Sequence, residues 1–324
     1  MHRSGTSAFT GLLESLGVNL GDSLMAAKPD NPLGFFENTF VVDTNEEALS
    51  LLGSAWDLPF PFPDDWPHSL AQAGLDIRIC DYLAQEITAD QLYAFKDPRL
   101  SILLPLWQPC FAAAGIADHY AILVRNPLEI AQSLAARNGF TSNHSLALWL
   151  QYMLAAERHT RGRPRGFVDF EQLMATPDQC VEAMFRATGL AIPVTPGDGS
   201  AGAPIDAGMR HHDGAELLQA DCPALVQRAY QLFSQIAARG DTTEQDQQDL
   251  DALAAEFEAS QALLYSADIT AQVMQRRALP DDLEQFLASP PWRLYRAYQA
   301  AVEALFPEGS GIRRQLQKIK SWFL

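Results

Sequence analysis

The run His119-Tyr120-Ala121-Ile122-Leu123-Val124 stops at Arg125-Asn126-Pro127. A short, nearly continuous apolar run closed by turn residues reads as a strand buried on both faces. Asn126 can cap a helix and Pro127 suits its first position, so a helix follows at once, to about residue 137. The same order recurs along the chain. Leu92-Tyr93-Ala94-Phe95 reads as a strand that opens into Lys96-Asp97-Pro98-Arg99. An apolar helix follows over 100–114, and Pro105 and Pro109 are expected to interrupt it. Gly166-Phe167-Val168-Asp169-Phe170 is a third strand, with helices from Glu171 to the glycine at 189. Such alternation predicts an α/β fold: a three-layer parallel sheet with helices on both faces.

Ligands on sheets of this kind sit beyond the carboxyl ends of the strands. Three turns occupy that position, at 1–7, 96–99 and 125–127. Each carries a cation, from Arg3, Lys96, Arg99 and Arg125. The first turn, Met1-His2-Arg3-Ser4-Gly5-Thr6-Ser7, runs into an apolar helix over 8–16. Backbone amides at a helix N-terminus lack intrahelical partners and face the positive end of the helix dipole, which makes an anion site. A serine-rich cap on an ordinary first helix is the other reading of the same residues. The lysine of an NTPase phosphate loop is absent, because Thr6 follows Gly5 directly. A P-loop kinase would also need a Mg²⁺-holding Asp at a strand end, and none is evident.

The rest of the chain fills in around these turns. Val18-Asn19-Leu20 is a short extended piece, and helices are expected over about 40–52, 69–88 and 145–159. Residues 53–67 combine Pro59, Pro61, Pro63 and Pro67 with Trp56, Phe60, Phe62 and Trp66. The prolines forbid a regular helix and the rings favour burial, so a packed loop is expected. The arginines at 158, 161, 163 and 165 form a basic run that reads as solvated surface or, more sharply, as a site for an acidic acceptor. Residues 190–215 are irregular by composition and include Arg210-His211-His212. From Pro223 onward the pattern is helical, with Leu250, Leu253, Phe257 and Leu264 at helical spacing. A basic amphipathic tail lies over 312–324.

With 324 residues and 48% hydrophobic content, the chain can build a full core. Its formal charge of −17 argues against nucleic acid as a partner. The four cysteines, Cys80, Cys110, Cys180 and Cys222, are far apart in sequence and read as buried residues of a reducing, cytoplasmic compartment. No apolar run is long enough to span a membrane, so no membrane-spanning role is expected.

The loop His2-Arg3-Ser4-Gly5-Thr6-Ser7, the segment Asp30-Asn31-Pro32-Leu33-Gly34-Phe35-Phe36-Glu37-Asn38, the turn Lys96-Asp97-Pro98-Arg99, the stretch Leu123-Val124-Arg125-Asn126-Pro127 with Ser133, and Phe167-Val168-Asp169-Phe170-Glu171 stand in a fixed order. In order and spacing they resemble the bacterial sulfotransferases that use 3′-phosphoadenosine 5′-phosphosulfate (PAPS). The resemblance covers residues 1 to about 190. It implies that Arg3, Ser4, Gly5, Thr6 and Ser7 hold the 5′-phosphosulfate. It implies that Arg125 and Ser133 hold the 3′-phosphate, and that no metal takes part. The reaction implied is transfer of a sulfuryl group to a hydroxyl or amine of a small-molecule, lipid or glycan acceptor.

The attacking group must lose a proton, and Glu37 is the candidate base. Its other reading is a first-turn acid of the helix from about 40. His2 is a weaker candidate that more naturally shapes the loop. Arg3 and Lys96 complete the catalytic set, and Lys96 and Arg99 are candidate contacts to the sulfate or the acceptor. Asp97 reads as a structural carboxylate that pairs Arg99. Arg210, His211 and His212 are a candidate segment for closing over the nucleotide.

In that family a buried strand leads into the loop. Here Met1 already belongs to the loop, so the first strand is expected to be missing from the chain. Losing about five buried apolar side chains, at about 1.5–3 kcal/mol each, rivals the net stability of a domain. A sulfotransferase-like scaffold without catalysis is therefore the alternative reading. The expected organisation is a sulfotransferase-like domain over 1–215 and a helical extension over 216–324, whose helices are a candidate surface for homo-oligomers.

Overall fold

The computed structural model describes residues 1–26, 34–88, 91–193 and 222–264. The chain is mixed α/β and mostly helical. In order come α1 (Thr6–Ser15), α2 (Thr39–Leu51), α3 (Trp66–Gln72), α4 (Leu75–Glu86), α5 (Leu100–Ala113), β1 (Tyr120–Val124), α6 (Pro127–Asn138), α7 (Ser142–His159), β2 (Arg165–Asp169), α8 (Phe170–Ala175), α9 (Pro177–Thr188), α10 (Ala224–Arg239) and α11 (Glu244–Leu264). One compact unit spans Met1–Ala267, and a second, Asp268–Leu324, lies outside the described residues. The expected division at 215/216, the segment Arg210-His211-His212 and the basic tail also fall outside them, as do residues 27–33.

β1 and β2 pair in parallel, in register from Tyr120 opposite Arg165 to Val124 opposite Asp169. Side chains alternate between the faces of a strand, and the two faces enter two different clusters. Ile122, Val124 and Phe167 join the larger core with Trp107, Trp149 and Phe233. Leu123 and Val168 join a second core with Phe9, Leu12, Val181 and Phe185. The helices α10 and α11 contribute Val226, Phe233, Leu250 and Phe257 to the larger core.

The expected strand at Leu92-Tyr93-Ala94-Phe95 reduces to one parallel bridge, Tyr93 opposite Asn19. Asn19 donates to Leu92 O at 2.9 Å and accepts from Ala94 N at 2.8 Å. The pairing is no longer than this because its partner is the short connection after α1, which departs again at Gly21 (φ 87°). The helix expected over 69–88 divides into α3 and α4 at Gly74, whose φ is 80°.

Pro105 and Pro109 do not interrupt α5; both lie inside it. A proline at 105 removes the amide that would bond to Ser101 O. His159 at the end of α7 donates Nδ1–H to that carbonyl at 3.0 Å instead. Burial holds the His159 imidazole below its usual pKa, so it stays neutral and keeps the single proton this bond requires.

The proline-aromatic segment is a packed loop up to Trp66, where α3 begins. Its carbonyls need donors that its prolines cannot supply. One face of α7 provides them: His144 donates to Asp57 O at 2.7 Å, Tyr152 to Trp56 O at 2.7 Å and Gln151 to Phe60 O at 3.0 Å.

The arginine run divides: Arg158 and Arg163 are solvated, as a surface reading expects, whereas Arg161 and Arg165 turn inward onto a buried carboxylate. Arg158 pairs with Glu258, Arg163 with Asp118, and Arg161 with both Glu157 and Asp251. Arg165 donates to Glu157 Oε1 at 3.0 Å and to Thr242 Oγ1 at 2.8 Å. Glu157 is 1% exposed, so two guanidinium groups neutralise a carboxylate that burial alone would not tolerate. Glu157→Ala should lower stability by about 3–5 kcal/mol in urea titrations, because it strands Arg165. Arg158→Ala, which breaks an exposed pair, should cost less than about 1 kcal/mol in the same experiment.

Candidate functional site

The N-terminal loop ends at Gly5, the N-cap of α1. Its φ of 88° is left-handed, and it offers no side chain to cap the helix. The first bond of the helix runs from Phe9 N to Gly5 O at 3.1 Å. The amides of Thr6, Ser7 and Ala8 therefore have no intrahelical acceptor. Glycine is required here twice over: a Cβ at residue 5 would also stand 2.5 Å from the Phe170 ring. Ser4 is fully buried, and its hydroxyl donates inward to Met1 O at 2.7 Å. Ser7 Oγ lies 3.5 Å from Phe35 O, which brings the segment before Glu37 over the loop.

Arg125 stands where β1 gives way to α6, whose cap is Asn126, as the sequence suggests. Its Nη1 donates to Arg3 O at 2.9 Å and its Nε to Glu129 Oε2 at 3.0 Å. Its guanidinium carbon lies 3.9 Å from the centre of the Phe170 ring, at the start of α8. Arg3 in turn donates from Nε to Ser133 Oγ at 2.7 Å. Arg3, assigned to one phosphate, and the pair Arg125 and Ser133, assigned to the other, thus meet at one place. Glu129, which the sequence reading does not name, belongs to the same place, and so does Phe170, which it names only within a motif and without a role. The i, i+4 spacing of Arg125 and Glu129 was a usable signal, whereas nothing local in the sequence marks Phe170 as a platform.

Lys96 approaches from the turn after Tyr93. Its Nζ donates to Glu37 Oε1 at 2.5 Å and to Phe35 O at 3.1 Å. Both side chains of the ion pair are about one-tenth exposed (10% and 9%). Burial raises the Glu37 pKa, and the charge of Lys96 works against that rise without cancelling it. Glu37 is not a first-turn acid. Asn38 caps α2 by accepting from Phe40 N at 3.0 Å, and Glu37 precedes that cap.

Arg99 is committed elsewhere, to Asp97 Oδ1 at 2.8 Å and to Glu46. Asp97 Oδ2 accepts from Asn45 at 2.9 Å, and Asn45 accepts from Trp107 Nε1 at 2.8 Å. Asp97 is therefore structural, a buried acceptor that fixes the turn below Lys96. The His2 ring packs 4.4 Å from Trp56 and edge-on to Tyr152 at 5.9 Å. Burial pushes its pKa well below the usual value, so it is neutral there.

Known protein families, characterised proteins and solved structures offer no match to this chain.

The close approach at Gly5 gives a direct test of this packing. Gly5→Ala should destabilise the protein by roughly 2–4 kcal/mol, from left-handed strain and overpacking against Phe170 together. Thermal unfolding of the variant against the parent reads the loss, and an unchanged midpoint would mean that the loop does not sit against Phe170.

Proposed function

We propose that this protein transfers a sulfuryl group from PAPS to a hydroxyl or amine of a small-molecule, lipid or glycan acceptor. The observation that carries the reading is the junction of Arg3, Arg125 and Ser133, in which Arg125 holds the loop carbonyl of Arg3 and Arg3 reaches Ser133. Residues assigned to two different phosphates of one nucleotide are thereby neighbours. The proposal includes a three-layer parallel sheet of which β1 and β2 form part.

The residues present suit a bisphosphorylated anion. The uncapped amides of Thr6, Ser7 and Ala8, behind the left-handed turn at Gly5, would receive the phosphosulfate. Arg3 would stabilise charge developing on the leaving phosphate. Arg125 and Ser133 would take the 3′-phosphate, with Glu129 and Phe170 fixing the angle of the guanidinium.

Glu37 would act as base. Its Oε1 is on Lys96, and Oε2 would accept the proton as the acceptor oxygen or nitrogen bonds to sulfur. The bond between sulfur and the bridging phosphate oxygen breaks, and 3′,5′-bisphosphoadenosine (PAP) leaves with that electron pair. Burial keeps Glu37 more basic than an exposed carboxylate, which favours proton acceptance near neutral pH. Lys96 limits that rise and stands close enough to steer the sulfate.

Calorimetry with PAP tests the nucleotide site, and absence of binding would overturn the reading. Arg125→Ala should weaken PAP binding by roughly ten- to a hundredfold, as loss of charged hydrogen bonds does. Glu37→Gln should leave PAP binding intact and lower turnover by about 10²–10⁴. In the parent enzyme, kcat/KM should rise with pH through an ionisation above the ordinary glutamate value of 4.5, since only the carboxylate form accepts the proton. Full turnover by Glu37→Gln would remove Glu37 as the base.

A further inference from the structure

Two cysteines that lie apart in sequence meet between α4 and α5. Cys80 is half-buried on α4 and Cys110 is buried on α5; both are free thiols. Cys110 Sγ sits 3.4 Å from the carbonyl oxygen of Asp76. Asp76 is one helical turn before Cys80, so positions 76 and 80 share a face of α4. The Cys80 thiol is close enough to contribute, after burial, to the raised pKa of Cys110. The two thiols are therefore neighbours across the α4–α5 packing, with Cys80 partly open to solvent and Cys110 behind it.

We propose that Cys80 and Cys110 are a redox modification site, which a small-molecule disulfide converts to an intramolecular disulfide between α4 and α5. The Cys80 thiolate attacks one sulfur of the reagent, the reagent S–S bond breaks, and the first reagent thiol leaves with the Cys80 proton. The Cys110 thiolate then attacks the Cys80 sulfur of the mixed disulfide, and the second reagent thiol leaves with the Cys110 proton. Two cysteine thiols are oxidised to one disulfide while one reagent disulfide is reduced to two thiols.

The order follows from access. Cys110 is shielded, and burial pushes its thiol up to about 12, so little of it is thiolate near neutral pH. Cys80 reacts first, and Cys110 resolves. The consequence reaches the candidate site, because the two cysteines bracket the connection that carries Lys96, Asp97 and Arg99. A bond between the flanking helices ties both ends of that connection together. It also removes conformations from the unfolded chain, so the oxidised protein is the more stable form.

The test is incubation of the native protein with oxidised glutathione, followed by alkylation, peptide mapping and thermal unfolding. The expected result is a Cys80–Cys110 cross-linked peptide without retained glutathione, a raised midpoint, and reversal of both by dithiothreitol. Cys80→Ser should leave Cys110 unoxidised, and Cys110→Ser should trap glutathione on Cys80. Three results would overturn the proposal: a stable glutathione adduct on Cys80 in the parent protein, an unreacted Cys80, or oxidation of Cys110 in Cys80→Ser at the parental rate. The parent protein alone decides the matter if a variant fails to fold.

Discussion

A single guanidinium, that of Arg125, joins three parts of the chain that are distant in sequence. It holds the carbonyl of Arg3 in the N-terminal loop, the carboxylate of Glu129 in α6, and the face of Phe170 where β2 enters α8. The parallel register of β1 and β2 brings Val124 opposite Asp169, so the residues that follow each, Arg125 and Phe170, emerge side by side. Phe170 in turn leaves room at residue 5 only for a glycine. The sheet register, the turn at the end of β1 and the shape of the loop before α1 are thus one constraint. A change at any of them moves the other two.

The chain is strongly acidic, with a formal charge of −17, and anions approach it against its field. The cations at and beside the candidate site are held by carboxylates of the same chain: Lys96 by Glu37 and Arg125 by Glu129 at the site, and Arg99 by Asp97 and Glu46 beside it. Such pairing keeps each cation oriented and partly buried where a lone charge would be expelled. It also means that an incoming phosphate gains less than it would from bare charges. Within the proposed function, selectivity then rests on geometry, on uncapped amides and a fixed guanidinium, more than on net attraction.

Local signals carried much of this arrangement. The apolar run before Arg125, the Asn126 cap and Pro127 define the end of β1 and the start of α6, because each acts on its own neighbours. The start of α1 is less legible: a serine-rich cap before a helix over 8–16 stays open in the sequence, whereas the helix begins at Thr6 behind Gly5 with no side-chain cap. What sequence did not reveal depends on partners far along the chain. Pro105 reads as a break, yet α5 continues because His159 supplies the missing donor. The basic run after Arg158 reads as surface until Glu157 is known to be buried beneath Arg161 and Arg165. Cys80 and Cys110 are unremarkable in sequence and become neighbours only through the packing of α4 on α5. Leu92-Tyr93-Ala94-Phe95 has strand composition, but a ladder needs a partner of equal length, and the piece at Asn19 is too short.

Backbone strain points to the same region independently of charge. Among the described residues, the two non-glycine residues with positive φ are Arg3, at 63°, and Phe36, at 55°. Each such residue costs on the order of 1–2 kcal/mol and persists only where its surroundings hold it. Arg3 is held by its own bond to Ser133 and by the bond from Arg125 to its carbonyl. Phe36 is held from both sides: Lys96 binds Phe35 O and the Glu37 carboxylate, and the Phe36 ring lies against Gly11 of α1, where a Cβ would stand 3.0 Å from it. The first strained residue sets the loop that the proposal gives to the phosphosulfate. The second sets the carboxylate that it gives to the acceptor proton. Relaxing Phe36 would swing Glu37 away from Lys96 without touching either side chain, so the left-handed turn there serves position rather than stability.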